Sequence, residues 1–466
     1  MTPRKEILVV GLLVMLCVGC AVGPNYKRPA VPAPPEYRGV PADQTGKSVV
    51  ASFGEQKWWD AFQDEVLSDL IRTALKQNYD VRIAAARILQ ARAQVGISRA
   101  DQLPSVGAGA SAVNERLART VGIPSIETSA NQVSLSLAWE LDFWGKFRRA
   151  TESARANLLS EEWAQRQVLR SLVSDVASAY FQLRELDLEL EISRQTLASR
   201  KDSLRLTQIL ADGGATSMLD VRQAEQLVFT AAASIPDLER RIEQQENFIG
   251  ILLGNNPQGV ARGRKLVDQP HALEVPAGLP SALLERRPDI RQAEQQLIAA
   301  NAQIGVAKAD YFPQISLTAS GGYQSSALTG LFSGPAGLWT FGGSALQPVF
   351  EGGRIRNRVR FARARTEEAT AVYQQTVQQA FRDVSDALVG YRKSQEFRIQ
   401  QEQLTHSAEE ATKLSNMRYK GGATSYLEVL DSDTRYFSAQ LNLAQADLNE
   451  LQAFVGLYSA LGGGWE

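Results

Sequence analysis

The sequence predicts a mostly helical chain, built as a tandem duplication, that carries four membrane strands and closes a β-barrel only by joining copies of itself. Three observations predict it. The pentapeptide GGATS stands at Gly213–Ser217 and again at Gly421–Ser425, inside longer matching segments. Long stretches repeat apolar residues every 3.5 positions, the period of supercoiled helices. Short stretches between them alternate apolar with small polar residues, the period of strands.

The chain opens with Arg4 and Lys5, followed by an apolar run, Ile7–Gly19, too short for a membrane-spanning helix and suited to a secretory signal. Cys20 follows at once. The tetrapeptide CVGC, Cys17–Cys20, resembles a lipobox, with Cys17 at the place leucine usually holds. Residues 1–19 therefore read as a signal peptide and Cys20 as a lipid attachment site. Residues 20–64 begin Pro-rich and read as an extended arm. Lys and Arg number 50 against 51 Asp and Glu, a balance that argues against a nucleic-acid partner. The two cysteines sit near the start, and the two histidines, His271 and His406, lack ligand spacing. No metal, cofactor or nucleophile constellation is expected, and no enzyme.

The first repeat occupies 65–254, a linker 255–280, and the second repeat 281–466. Gln94–Val106 matches Gln303–Ile315, and Phe143–Arg149 aligns with Phe350–Arg356 at nearly the same spacing. Each repeat starts with a helix, Glu65–Ala100 or Ser281–Asp310. Strands follow at Leu103–Arg116 and Gln132–Leu141, then at Gln314–Gln324 and Leu338–Val349. Long helices are expected at Lys146–Ala211 and Arg354–Tyr419, each about 100 Å at 1.5 Å per residue. They turn at the GGATS copies and return at Met218–Leu253 and Tyr426–Leu461. In the turns, Gly213 with Gly214, and Gly421 with Gly422, stop one helix, and Thr216 or Ser217, and Thr424 or Ser425, cap the next. Leu427, Leu430, Thr434, Phe437 and Leu441 begin an unbroken heptad series, and Leu169 to Leu190 form another. Pro236 should interrupt the first return helix and kink it.

Along the strands, Val133, Leu135, Leu137 and Trp139 alternate with Ser134, Ser136, Ala138 and Glu140, which suits a sheet between lipid and water. Four strands cannot close a barrel with a usable lumen, and open edges cannot be satisfied in lipid. The simplest solution is three chains supplying twelve strands.

Together, CAVGPNYKRP (Cys20–Pro29), Trp58–Trp59, WELDFWGK (Trp139–Lys146), LLERRPDIRQAE (Leu283–Glu294), PVFEGG (Pro348–Gly353) and ALGGGW (Ala460–Trp465) resemble the outer-membrane efflux proteins of the TolC-like superfamily, in its OprM/NodT lipoprotein branch. The resemblance implies a homotrimer with a twelve-stranded barrel in the outer membrane, continuous with a long α-helical barrel in the periplasm. It implies a passive exit duct for small molecules, with a periplasmic adaptor protein and an inner-membrane transporter of the resistance-nodulation-division (RND) type as partners. YLEVLD places the family's periplasmic gate on Leu427 and Asp431, one helical turn apart. Asp433 is a second candidate, turned away from Asp431 by its step of two. The turns around Gly213, Gly214, Gly421 and Gly422 are where the adaptor would dock. Arg418 and Tyr419 are candidates for a latch holding the tip shut, with Arg205 or Asp212 as counterparts in the first copy. In RRPDIR, Pro288 and Asp289 suit a helix start, and Arg286, Arg287 and Arg291 are expected to pair with carboxylates. The alternatives are a duct for protein secretion and a lipid-anchored coiled-coil scaffold without a pore.

Overall fold

The computed structural model describes residues 21–32, 34, 37–38, 53–118, 125–269 and 280–465. The segment read as a signal peptide, the expected acylation site Cys20, and His271 lie outside the described residues. A short helix α1, Trp58–Phe62, precedes two runs of elements in the same order. The first is α2 (Glu65–Gln77), α3 (Tyr79–Ala100), β1 (Ser105–Arg116), β2 (Glu127–Leu141), α4 (Lys146–Asp212) and α5 (Met218–Leu252). The second is α6 (Pro280–Arg286), α7 (Pro288–Ala309), β3 (Gln314–Ser325), β4 (Gly337–Leu346), α8 (Arg354–Lys420) and α9 (Tyr426–Ala460). The long helices α4 and α8 have 67 residues each and the return helices α5 and α9 have 35 each, so the duplication holds to the residue. Among the described residues no helix is long and apolar enough to cross a membrane.

Three expectations need correction. The leading helix of each repeat is two helices, not one. Asn78 stands in an extended conformation between α2 and α3, and its side-chain oxygen accepts from the N–H groups of Asp80 (2.7 Å) and Val81 (3.3 Å). Its amide donates to the Leu252 carbonyl at 2.9 Å, which ties the break to the end of α5. In the second repeat the break falls at Arg287, where Pro288 bars the preceding residue from helical geometry. Strand β2 also starts five residues earlier than expected, because a polar extension beginning at Glu127 still pairs with β1, and Arg116 meets Glu127 at 3.3 Å. Helix α5 runs through Pro236 without interruption.

The chain forms two compact units. One comprises residues 1–30, 87–162 and 292–374, the other 31–86, 163–291 and 375–466. The first contains the sheet. Its order is β1-β2-β3-β4, antiparallel throughout, so the central pairing joins the two repeats, and β1 and β4 are left as edges. Register sorts the residues onto two faces. Val106, Leu137, Ala319 and Phe341 lie in one row across all four strands, and Ala108, Leu135, Gly321 and Trp339 in the next. The opposite face carries rows such as Gly107, Ser136, Ser320 and Thr340. The apolar face is bare: Trp339 is 82% exposed, Phe341 70% and Leu135 59%. An uncovered face of this kind is disfavoured in water and suited to lipid.

The second unit holds the main core. Phe53, Phe62, Phe181, Phe454 and Tyr458 form an aromatic cluster with ring centroids 5.0–6.4 Å apart. Trp58 is buried with them, while its neighbour Trp59 stays at the surface. Asp64 caps α2 by accepting from Val66 and Leu67, and also receives the Tyr180 hydroxyl and the Gln269 amide. The RRPDIR arginines pair as expected: Arg286 with Glu55 (3.0 Å), Arg287 with Asp289 (2.6 Å) and Asp383 (3.2 Å), Arg291 with Glu285 (3.0 Å). The terminal Trp465 packs edge-on against Trp163, with Arg166 over both rings.

One buried acid makes stability depend on pH. Burial, and next the charge of Glu189 one turn along α4, push the Glu185 carboxyl up to about 8, against a smaller opposing pull from Arg241. The folded protein therefore keeps a proton that the unfolded chain releases near its ordinary pKa of 4.5, and this contribution to stability falls as pH rises through about 8. Glu185→Gln is expected to raise the melting temperature at alkaline pH and to change it much less in acid. Melts across the pH range check this, and equal shifts at both ends would contradict it.

Candidate functional site

The candidate site is the pair of hairpin tips, both within the second compact unit. Each tip stops its helix the same way. Ala215 N–H donates to the Leu210 carbonyl (2.9 Å at Gly214 to Ala211, 2.8 Å here), and Ala423 and Gly422 repeat the pattern with Arg418 (2.9 Å) and Tyr419 (3.0 Å). This paired arrangement satisfies the last carbonyls of a helix and needs a left-handed residue, supplied by Gly214 (φ 72°) and Gly422 (φ 70°). Gly214→Ala or Gly422→Ala is expected to destabilise its tip by about 1–2 kcal/mol, the steric penalty of a Cβ at positive φ. Hydrogen exchange at the tips would register it.

The restart differs between the copies. Ser217 and Asp220 form a reciprocal capping box at the start of α5, and Thr216 also contacts Asp220. Ser425 heads α9 without a side-chain cap; instead Glu428 sits 4.0 Å from Arg418 across the turn. Both partners of that pair are exposed, so the contact is weak. Tyr419 packs its ring on Tyr426 at 5.3 Å, beside a small cluster of Ala224, Tyr426 and Val429. Of the expected latch counterparts, Arg205 is held by Asp202 at 3.5 Å and Asp212 accepts from Gln208 at 3.0 Å.

Leu427 is 60% exposed and Asp431 lies on the same face one turn on, where it pairs with Arg435 at 2.8 Å. Within one chain the heptad series is therefore left uncovered at its first position. Leu427 and Thr434 point outward, and Tyr426, Val429 and Phe437 form the seam. Asp433, turned away from Asp431 as its spacing requires, is drawn inward onto Arg200 of α4 at 2.7 Å. The same guanidinium donates to the Leu227 carbonyl of α5 at 2.9 Å and lies 4.9 Å from the Phe437 ring. Arg200 is 3% exposed, so one buried cation fastens three helices. Sequence reading missed Arg200. A signal existed: the duplicated position is Ala408, and Arg435 likewise corresponds to Leu227, so the tip breaks internal symmetry where its charges sit.

In the first compact unit, the N-terminal arm is stapled down. Val22 N–H donates to the Trp144 carbonyl at 3.0 Å, Asn301 to the Pro24 carbonyl at 3.0 Å and Arg149 to Asn25 at 2.8 Å. Arg28 forks onto Glu294 at 2.6 and 2.8 Å, joined by the Tyr26 hydroxyl. The arm lies so close that a Cβ at Gly305 would come within 2.6 Å of the Val22 carbonyl oxygen. Ala21 touches Gly145, at the junction of β2 and α4.

The comparisons with known proteins agree with this anatomy. The family described as "Outer membrane efflux protein" matches residues 70–255 and 279–463, one block per repeat. The chain is 36% identical to the probable efflux pump outer membrane protein TtgC of Pseudomonas putida, over 99% of its own length and 96% of that protein's. It is similarly 37% identical to the solvent efflux pump outer membrane protein SrpC of Pseudomonas putida (99% and 98%) and 36% identical to the outer membrane protein OprJ of Pseudomonas aeruginosa (98% and 96%). Among solved structures it resembles the outer-membrane channel OprN with a TM-score of 0.87, 33% identity and coverage of 96% and 100%. It resembles the open state of the Neisseria gonorrhoeae MtrE outer membrane channel with a TM-score of 0.85, 30% identity and coverage of 96% and 99%. Matched in both repeats, and over nearly the whole length of its relatives, the chain belongs to the outer membrane efflux protein family.

Proposed function

We propose that this outer-membrane efflux channel works as a homotrimer of the OprM/NodT lipoprotein branch, a passive exit duct for small organic toxicants, served by a periplasmic adaptor and an RND-type inner-membrane transporter. The observation that carries the reading is the sheet. Four strands with one bare apolar face, one small polar face and two unpaired edges must find further strands before they can sit in lipid. Relatives named for toluene, solvent and antibiotic efflux pumps support the class of cargo. The duct carries out no chemistry of its own, and transport energy comes from the partner. Acylation of Cys20 is supported by the seat of its neighbour Ala21 at the strand–helix junction.

In this reading the tips close the duct at rest. Leu427 and Asp431, exposed on one face of α9, form an apolar and an acidic ring about the trimer axis. The buried Arg200–Asp433 pair holds α9 in place behind them, and the turns at Gly213, Gly214, Gly421 and Gly422 receive the adaptor. Arg418 and Tyr419 contribute a secondary latch. Planar-bilayer recording on the purified protein tests the duct: steps of conductance are expected, small at rest. A protein that assembles in detergent yet never conducts, even with the tips loosened by mutation, is a scaffold and not a channel.

A further inference from the structure

Helix α8 opens with Arg354, Arg356, Arg358, Arg360, Arg363 and Arg365 and meets no acidic residue before Glu367. Two of these cations are neutralised, Arg354 by Glu351 and Arg358 by Asp310 at 3.1 Å. Arg356, Arg360 and Arg363 fall on one helical face, and with Lys308 they line an open cavity of about 550 Å³. None of these four has an ion-pair partner among the described residues. The matching start of α4 is different. There Lys146 lies 3.9 Å from Glu140 and also shares Asp310 at 3.5 Å, with Arg148 3.4 Å from Asp142 and Arg149 2.8 Å from Glu152. The second repeat alone carries an uncompensated row, and like charges so spaced oppose helix formation unless an anion joins them.

The place of the cavity tells which anion. Tyr311 and Phe312, also in its wall, lie in the short link between α7 and β3, just before the sheet begins. Phe312 stacks on Trp144 at 4.6 Å, and the Trp144 indole donates to the Pro313 carbonyl at 2.9 Å. Val22 of the arm closes another side. The cavity thus sits at the foot of a sheet whose apolar face meets lipid, with Tyr311 in its wall and Trp144 stacked on Phe312, the two aromatic types that favour the headgroup level. Arginine matches phosphate oxygens in geometry as well as charge. We propose that this cavity binds the phosphate of an anionic phospholipid headgroup in the periplasmic leaflet, with Arg356, Arg360, Arg363 and Lys308 as its donors. The inference rests on outer-membrane placement and not on conduction, so it stands or falls separately from the duct.

The test uses the full-length protein purified in neutral detergent, with thermal stability and native mass spectrometry as readouts. Phosphatidylglycerol is expected to be retained and to raise the melting temperature, whereas phosphatidylcholine and inorganic phosphate at equal concentration are not. With about fivefold in affinity per surface cation, the Arg356→Gln/Arg360→Gln/Arg363→Gln variant should bind phosphatidylglycerol at least tenfold more weakly. The matching triple Lys variant should keep most of the binding. Equal effects of phosphatidylglycerol and phosphatidylcholine, or a Gln variant that binds like the parent, would overturn the proposal. A full shift with inorganic phosphate alone would overturn the lipid as its source. Should the Gln variant fail to assemble, salt titration of the unaltered protein decides: phosphatidylglycerol affinity that ignores a tenfold rise in salt also sinks it.

Discussion

Arg200→Ala is expected to leave the channel leaking at rest. The guanidinium is 3% exposed and holds Asp433 at 2.7 Å, the Leu227 carbonyl at 2.9 Å and the face of Phe437. Removing it strands a largely buried carboxylate and a buried carbonyl together. Breaking one side of such a pair costs about 3–5 kcal/mol, because the remaining charge has lost its partner without regaining water. That loss falls where α4, α5 and α9 are fastened, behind Leu427 and Asp431. The wider core around Phe62 and Tyr458 is untouched, so global unfolding should shift less than tip opening. Resting conductance in a bilayer should rise, and cells carrying the variant should admit vancomycin. Asp433→Asn keeps an acceptor and should leak less. Arg418→Ala removes only an exposed contact at 4.0 Å, worth at most about 1 kcal/mol, and should leak least of the three. The reverse order, with Arg418→Ala leaking and Arg200→Ala tight, would move the lock from the buried pair to the turn.

That ordering marks where sequence reading runs out. The duplication, the tips and the strands were legible because their causes are local. A GGATS turn needs a left-handed glycine and a capping hydroxyl wherever it occurs, and a period of two survives any neighbour. The gap at Arg287 is half legible: Pro288 announces a helix start, yet the sequence also reads as one helix from Ser281. The gap at Asn78 was not legible, since what fixes it is a hydrogen bond to Leu252, far along the chain. Which apolar residues a chain covers at its own tip is not legible for a related reason. Leu427 and Tyr426 both fit an apolar series, and only the neighbouring helices decide which of them is covered. A buried arginine such as Arg200 has no local signature at all. Its trace is a difference, charge in one repeat against Ala408 in the other, visible only when the halves are laid side by side.

The membrane assignment of the sheet yields the other large effect, because it makes adjacent residues of β2 opposite in their tolerance. Leu135→Arg is expected to destabilise each chain in the membrane by about 2–4 kcal/mol, the penalty for an arginine facing lipid near the bilayer centre. Leu135 shares its row with Ala108 and Gly321, which offer no acceptor to a guanidinium, and it is too far from the strand ends to reach headgroups easily. Three chains multiply the effect, so little assembled oligomer should be recovered from membranes. Ser136→Arg, one residue on, points the same side chain to the face shared by Gly107 and Ser320. There it meets water, assembly should proceed at close to the normal level, and the three added charges should shift ion selectivity toward anions. A soluble sheet with both faces wet would tolerate both substitutions, and a sheet inverted in the barrel would reject Ser136→Arg while accepting Leu135→Arg. The pair of variants therefore reads out the orientation of the sheet, since the introduced residue, the strand and the chain length are the same and the arginine is moved by one residue to the opposite face.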